Sequence, residues 1–202
     1  MKKILFTALA IVGFAINTNA QTSYWTFSWP ISMGIGSTNE YIAKTSFRGI
    51  SITGASFITD NISIGGEWSW EVFDEIKRDL PPRSITADGI SGDISGTEYR
   101  YLNTIPIFVN SHYYMGKNGA FRPYAGLGIG TVYVDQRTDI GFTSIQSNTW
   151  RFGVQPEVGV FIPMGLSGVG VSLKAKYRYA TKSNEAEALT MFSLGIGFGF
   201  MN

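Results

Sequence analysis

The sequence predicts an all-β fold, an eight-stranded antiparallel up-and-down transmembrane β-barrel. Three observations carry this reading. Apolar residues recur at every second position through long stretches, the connections alternate between short and long, and the apolar faces are too bulky to fit inside a barrel of that size. The composition agrees. The 202 residues include 24 Gly, 14% aromatic and only 15% charged residues, where about a quarter charged is usual. The aromatic and β-branched content disfavours disorder, and the length is ample for a sizeable folded unit.

The first strand is set by Trp25, Phe27, Trp29, Ile31, Met33 and Ile35, with Thr26, Ser28, Pro30, Ser32, Gly34 and Gly36 between them. A period of two is the mark of a strand with one apolar face. Residues 62–73 repeat it, with Ile62, Ile64, Trp68, Trp70 and Val72 on one face and Ser63, Gly65, Glu67, Ser69 and Glu71 on the other. Residues 149–164 set Trp150, Phe152, Val154, Val158, Val160 and Ile162 against Arg151, Gly153, Gln155, Glu157 and Gly159. Residues 169–179 set Val169, Val171, Leu173, Ala175, Tyr177 and Tyr179 against Gly170, Ser172, Lys174, Lys176 and Arg178. The last run alternates Phe192, Leu194, Ile196, Phe198 and Phe200 with Ser193, Gly195, Gly197 and Gly199. Runs 47–58, 99–115 and 121–134 are also strand-like. Their pleat phase stays open, because the turn lengths at 59–61 and 116–119 conflict with the most apolar phase. No helical period competes after Gln21.

Short connections at 59–61, 116–119 and 163–168 carry hairpin residues. Longer polar loops are expected at 37–45, 74–98, 135–147 and 181–188. Short turns at one end and long loops at the other describe a membrane barrel's meander. The interior of eight strands is only just wide enough for side chains. The Gly, Ser and charged faces fit that space, whereas the Trp- and Phe-rich faces overfill it. The apolar faces therefore point outward into hydrocarbon, where a closed barrel satisfies every backbone group.

The inward faces then bring Glu67, Glu71 and Glu157 together with Arg100, Arg151, Lys174, Lys176 and Arg178, and unpaired charges there are costly. A six-residue turn at 163–168 pairs Ile162 with Val169, which sets Glu157 opposite Lys174 and Gln155 opposite Lys176. A charge-paired plug is favoured over an ion-selective pore, because such narrow interiors are filled. Trp25, Trp29, Trp68, Trp70, Trp150, Tyr113, Tyr177 and Tyr179 are expected to form girdles at headgroup depth.

The first twenty residues read as an export signal. Lys2 and Lys3 precede an apolar stretch from Ile4 to Ile16, and Thr18-Asn19-Ala20 supplies small residues for cleavage before Gln21. Residues 21–202 then form the barrel. Without Lys2 and Lys3, 14 basic residues face 15 acidic ones. That balance disfavours a nucleic-acid partner, which needs a clustered basic surface. With no Cys and one His, neither a disulfide framework nor a thiolate or multi-His metal site is expected, and no cofactor is implied.

The segment Arg122-Pro123-Tyr124-Ala125-Gly126-Leu127-Gly128-Ile129-Gly130 resembles the Pro-Tyr-x-Gly-x-Gly-x-Gly strand of small outer-membrane β-barrels of the OmpA, OmpX and OmpW type. The final alternation through Phe198 and Phe200 looks like that family's C-terminal strand, whose aromatic end the barrel-assembly machinery reads; here Met201 and Asn202 follow it. The resemblance spans the whole chain. It implies a monomeric barrel in the outer membrane of a Gram-negative bacterium, with membrane lipid and the assembly machinery as partners and no shared ligand.

Few constellations carry chemistry. Gly126-x-Gly128-x-Gly130 lacks the helix and the Lys-Ser/Thr of a phosphate loop, and reads as strand glycines under crowded neighbours. Ser111 and His112 are adjacent on one strand and point to opposite faces, so they cannot act together; His112 is expected to hydrogen-bond inside the barrel or near its rim. The loop 74–98, with Lys77, Arg78, Pro81, Pro82 and Arg83, is the best candidate for outside contacts. The expected function is a non-enzymatic membrane protein that anchors surface loops and supports the envelope. The alternatives are a narrow porin-like channel for small ions or hydrophobic solutes, and a lipid-modifying barrel enzyme for which the chain offers one His and no convincing nucleophile.

Overall fold

The computed structural model describes residues 23–87, 90–116, 121–165, 168–183 and 187–201. The export segment, Asn202 and parts of the connections at 116–119, 163–168 and 181–188 lie outside the described residues. The strands are β1 (Ser23–Gly34), β2 (Arg48–Phe57), β3 (Ile62–Ala87), β4 (Ile90–Tyr114), β5 (Arg122–Ile140), β6 (Thr143–Pro163), β7 (Val169–Ala180) and β8 (Leu189–Met201), with a short helix α1 (Ser37–Tyr41) after β1. Each strand pairs antiparallel with its sequence neighbour, and β1 pairs with β8 to close an eight-stranded barrel. Closure leaves no ladder edge, which is what a chain in hydrocarbon requires.

The alternating pattern becomes the two sides of the wall. Trp25, Phe27 and Trp29 of β1 point outward, as do Phe198 and Phe200 of β8 and Trp150 and Phe152 of β6. Thr26, Ser28 and Ser32 point inward and are buried. The three open phases resolve with Ser51, Thr53 and Phe57 of β2, Leu102, Phe108, His112 and Tyr114 of β4, and Tyr124, Val132 and Val134 of β5 inside. Their pattern was ambiguous because these strands carry large apolar residues on both faces.

Inward glycines make that arrangement possible. A Cβ on Gly126 would collide with the His112 ring, and one on Gly128 would sit 2.6 Å from Asn110 Oδ1. The Gly-x-Gly-x-Gly run of β5 is thus the space into which the larger inward residues of β4 fit.

Four sequence expectations are corrected. Residues 74–98 are not a loop: β3 and β4 stay paired from Asp74↔Tyr101 to Ala87↔Ile90, with irregularities between Lys77 and Arg83. Residues 135–147 likewise continue the β5–β6 ladder to Ile140↔Thr143. Apolar alternation marks only the length of strand against hydrocarbon; a hairpin in water needs no such pattern. Thirdly, α1 occupies part of the 37–45 connection, since its single turn is too short to show a 3.6-residue period. Finally, Ile162 pairs with Val171, which puts Glu157 opposite Lys176 and Gly159 opposite Lys174. Met164 N–H bonds to the Val169 carbonyl at 2.7 Å, so the tight turn begins further along the chain than a six-residue loop allows.

Gly126→Leu, which adds a side chain where His112 and Glu157 already lie, is expected to cost about 1–3 kcal/mol or more and to lower the urea midpoint of refolded barrel. Leu127→Ile, on the outward face of the same strand, is expected to leave the midpoint unchanged.

Candidate functional site

The lumen is packed in layers. At the short-turn end Tyr24, Phe57, Tyr114, Tyr124 and Phe161 form an apolar cluster. Its rings meet at 4.9 Å for Tyr114–Tyr124 and 5.7 Å for Tyr24–Phe161. The Arg122 guanidinium lies 5.2 Å from the Phe57 ring centre and 5.1 Å from that of Tyr114, and its Nη2 donates to the Asp60 carbonyl at 2.6 Å. At the long-hairpin end Phe73, Leu102, Phe108, Val132, Val134, Leu189 and Met191 form a second cluster with Ile42, which follows α1. Much of both clusters comes from the strands whose phase the sequence left open, and the polar layer is enclosed between two apolar plugs.

Between them lies the charge layer. Lys176 Nζ meets Glu67 Oε1 at 2.5 Å and donates to Ser51 Oγ at 3.1 Å. Lys174 Nζ donates to Thr53 Oγ1 at 2.9 Å and stands 3.8 Å from Glu67 Oε2. Arg178 uses Nη1 on both Glu71 oxygens, each at 3.1 Å, and Nε on Gln155 Oε1 at 2.9 Å. Gln155 Nε2 in turn donates to Glu67 Oε1 at 3.2 Å. Glu157 Oε1 lies 2.8 Å from His112 Nε2, and His112 Nδ1 shares a 3.3 Å hydrogen bond with Ser63 Oγ. Glu67, Glu71 and Glu157 thus face Lys174, Lys176, Arg178 and His112 in one connected set. The low dielectric inside makes these bonds strong and makes any loss expensive.

Two expected members of the set stand elsewhere. Arg100 is salt-bridged to Glu98 two residues away, and its Nη1 reaches the carbonyls of Glu40 and Tyr41 on α1, the latter at 2.5 Å. Arg151 is buried at the long-hairpin end and bonds the Glu187 carbonyl at 2.7 Å through Nη1. The Glu157–Lys174 pairing gives way to Glu157–His112, because the register places Glu157 two positions along from the expected partner. Ser63 was not singled out in the sequence. Alternation on β3, read with the β3–β4 pairing Ser63↔His112, is the signal that finds it.

Helix α1 closes the long-hairpin mouth. Tyr41 Oη donates to the Arg137 carbonyl at 3.0 Å, Ser37 Oγ donates to the Ala188 carbonyl at 2.9 Å, and Thr38 Oγ1 accepts from Thr190 N–H at 2.9 Å. Beside it, Lys44 and Arg48 flank Asp74 at 2.9 and 3.1 Å. The hydrogen bond from Lys44, helped by Arg48, holds the Asp74 carboxyl below its ordinary value of 3.8.

On the outer wall, Trp25 lies toward the short-turn end of β1 and Tyr113 toward that end of β4. Trp70, Trp150, Tyr177 and Tyr179 lie toward the long-hairpin end, and Trp29 and Trp68 lie between; all are exposed, Trp29 to 61%. Trp29 Nε1 donates to the Phe47 carbonyl at 2.6 Å. Phe198 and Phe200 project outward from β8 beside Phe27 and Trp25 of β1.

Removing one partner of the layer should be worse than removing two. Glu67→Ala, which leaves Lys176 unpaired, is expected to cost about 3–5 kcal/mol. Glu67→Met combined with Lys176→Met should recover part of that loss in urea unfolding, the remainder reflecting Lys174, which still lacks its carboxylate. A depressed carboxyl stabilises above its unfolded pKa and loses that contribution as pH falls through the folded value. The Asp74 contribution to urea stability, read as the difference between wild type and Asp74→Asn, should therefore be constant above about pH 4 and fall only in acid below about pH 3.8.

The comparisons with known proteins agree with this geometry. Neisserial surface protein A aligns with a TM-score of 0.52 at 13% identity, covering 90% of this chain and 97% of that one. Ail, the attachment invasion locus protein of Yersinia pestis, crystallised with the heparin analogue sucrose octasulfate, aligns with a TM-score of 0.51 at 9% identity over 90% and 97% of the two chains. OprG of Pseudomonas aeruginosa aligns with a TM-score of 0.50 at 14% identity over 93% and 98%. These likenesses show a shared fold. No curated protein matches the sequence. The family model described as "Outer membrane protein beta-barrel domain" matches residues 6–200, and the chain therefore belongs to the outer membrane protein β-barrel domain family and resides in the bacterial outer membrane.

Proposed function

We propose that the protein is a non-enzymatic integral outer-membrane protein whose barrel holds surface hairpins rigidly and braces the envelope. The observation that carries this reading is the filled lumen. An aromatic plug, a connected charge layer and an apolar cluster beneath α1 succeed one another along the axis, and the β3–β4 and β5–β6 ladders extend beyond the apolar belt. In family barrels the long connections face outside and the short turns face the periplasm, so these hairpins are the parts offered to other molecules.

In this reading residues 1–20 direct export and are removed, leaving 21–202 as the barrel. The assembly machinery reads the strand carrying Phe198 and Phe200, and the barrel works as a monomer. Trp25 and Tyr113 serve the inner girdle, and Trp70, Trp150, Tyr177 and Tyr179 the outer one. Ser63, His112 and Glu157 form a hydroxyl–imidazole–carboxylate chain of the kind hydrolases use. Here Ser63 is fully buried inside the wall, so the trio is assigned to luminal packing.

Planar-bilayer recordings on refolded protein are expected to show no large, steady open events. Such events would replace the plug with the narrow-channel reading. Lipids carrying quenchers along their chains should quench Trp29 and Trp68 best with deep labels and Trp150 best with shallow ones. A depth-independent response would sink the girdle assignment.

A further inference from the structure

Arg151 stands apart from the charge layer. Its residue is 3% exposed, and no carboxylate among the described residues pairs with it. Nη1 donates to the Glu187 carbonyl at 2.7 Å, whereas Nε and Nη2 are buried without a hydrogen-bond partner. Buried polar groups are almost always satisfied, so a cation left with two open donors points to a missing partner. The identity of the open atoms is informative. Nε and Nη2 share one edge of the guanidinium plane and donate two parallel bonds, which is the fork that fits two oxygens on a single centre. The Nη1 bond fixes that plane.

We propose that Arg151 is the anchor of an oxyanion site at the outer mouth of the barrel, taking a small ion such as a carboxylate or inorganic phosphate. The surroundings suit it. Val132 lies opposite Arg151 on β5, and Val134, Ala180 and Leu189 belong to the apolar cluster at this end, a setting that strengthens an ionic hydrogen bond. The chain segment that accepts the Nη1 bond also walls a cavity of about 300 Å³ beneath α1, together with Ser37, Thr38, Tyr41 and Gln136. Arg151 is not among the lining residues; in this proposal the cavity is the route by which an ion reaches it from outside. Two carboxylates border it. Glu187 is drawn to Lys182 at 2.6 Å, both side chains largely exposed, and Glu40 is exposed as well. A single-atom anion meets both donors only through two bent bonds to one centre, so chloride is the weaker-binding control.

The test uses the refolded barrel in detergent micelles, titrated with sodium phosphate or sodium acetate against sodium chloride at matched ionic strength. The Arg151 Nε–H resonance should move and saturate with at least one oxyanion, and move less, without saturating over the same range, with chloride. On SDS gels of samples heated in steps, the temperature at which the fast-migrating folded barrel is lost should rise with the same saturation, as binding to the native state requires. In Arg151→Lys, which keeps charge but loses the fork, apparent affinity should fall at least about tenfold. A resonance unmoved by both oxyanions, or moved equally by chloride, overturns the proposal. So does a saturable rise retained in Arg151→Gln. Should Arg151→Gln fail to fold, the wild-type resonance decides alone.

Discussion

A backbone group left unpaired in hydrocarbon costs several kcal/mol, and every other feature of this molecule follows from meeting that demand with eight strands. The ladder must close, so β1 pairs with β8 from Tyr24↔Met201 to Gly34↔Met191. Closing with eight strands makes a narrow tube. A narrow tube cannot take both residue sets of each strand at their full size, so the bulky set faces lipid and the smaller or chargeable set turns inward. Charges brought inside must then be paired, and the connected set of Glu67, Glu71, Glu157, Lys174, Lys176, Arg178 and His112 results.

The packing inside is directional. Aromatic rings crowd the short-turn end, where Arg122 covers Phe57 and Tyr114. Apolar side chains fill the other end under α1, which is tied to β4, β5 and β8 by Arg100, Tyr41 and Thr38. The charge layer is thus shut from water at both ends. Such a layer contributes little net stability relative to an apolar core, yet it strongly penalises any arrangement that breaks a pair. That favours one register among the slips available to a meander of alternating strands. Arg151 stands outside this layer, with Nη1 on the Glu187 carbonyl.

Legibility followed physical cause. The strands β1, β6, β7 and β8 and residues 62–73 of β3 were readable because one face meets lipid and the other a narrow lumen, so alternation is steep. The outward set and the inward charges were readable for the same reason. The phases of β2, β4 and β5 were not, because Phe57, Phe108, Tyr114 and Tyr124 are as apolar as residues on the lipid side; Phe108 and Tyr124 turn inward beside Gly153 and Gly159, and Tyr114 packs on Tyr124. The strand extensions through 74–98 and 135–147 were invisible because pairing in water leaves no hydropathy signature.

By itself the sequence determined the barrel, the sidedness of each steep strand and the gathering of complementary charges inside, since these depend on residue size and polarity at period two. Only the tertiary structure decided which charges meet. Moving the β6–β7 pairing by two residues keeps every side chain on its face while exchanging all its partners, so the alternation carries no information about it. The structure also decided that Ser63 joins His112, that α1 packs across the mouth and that Arg151 bonds the Glu187 carbonyl. Each of these depends on contacts between strands distant in the chain, which local pattern does not encode.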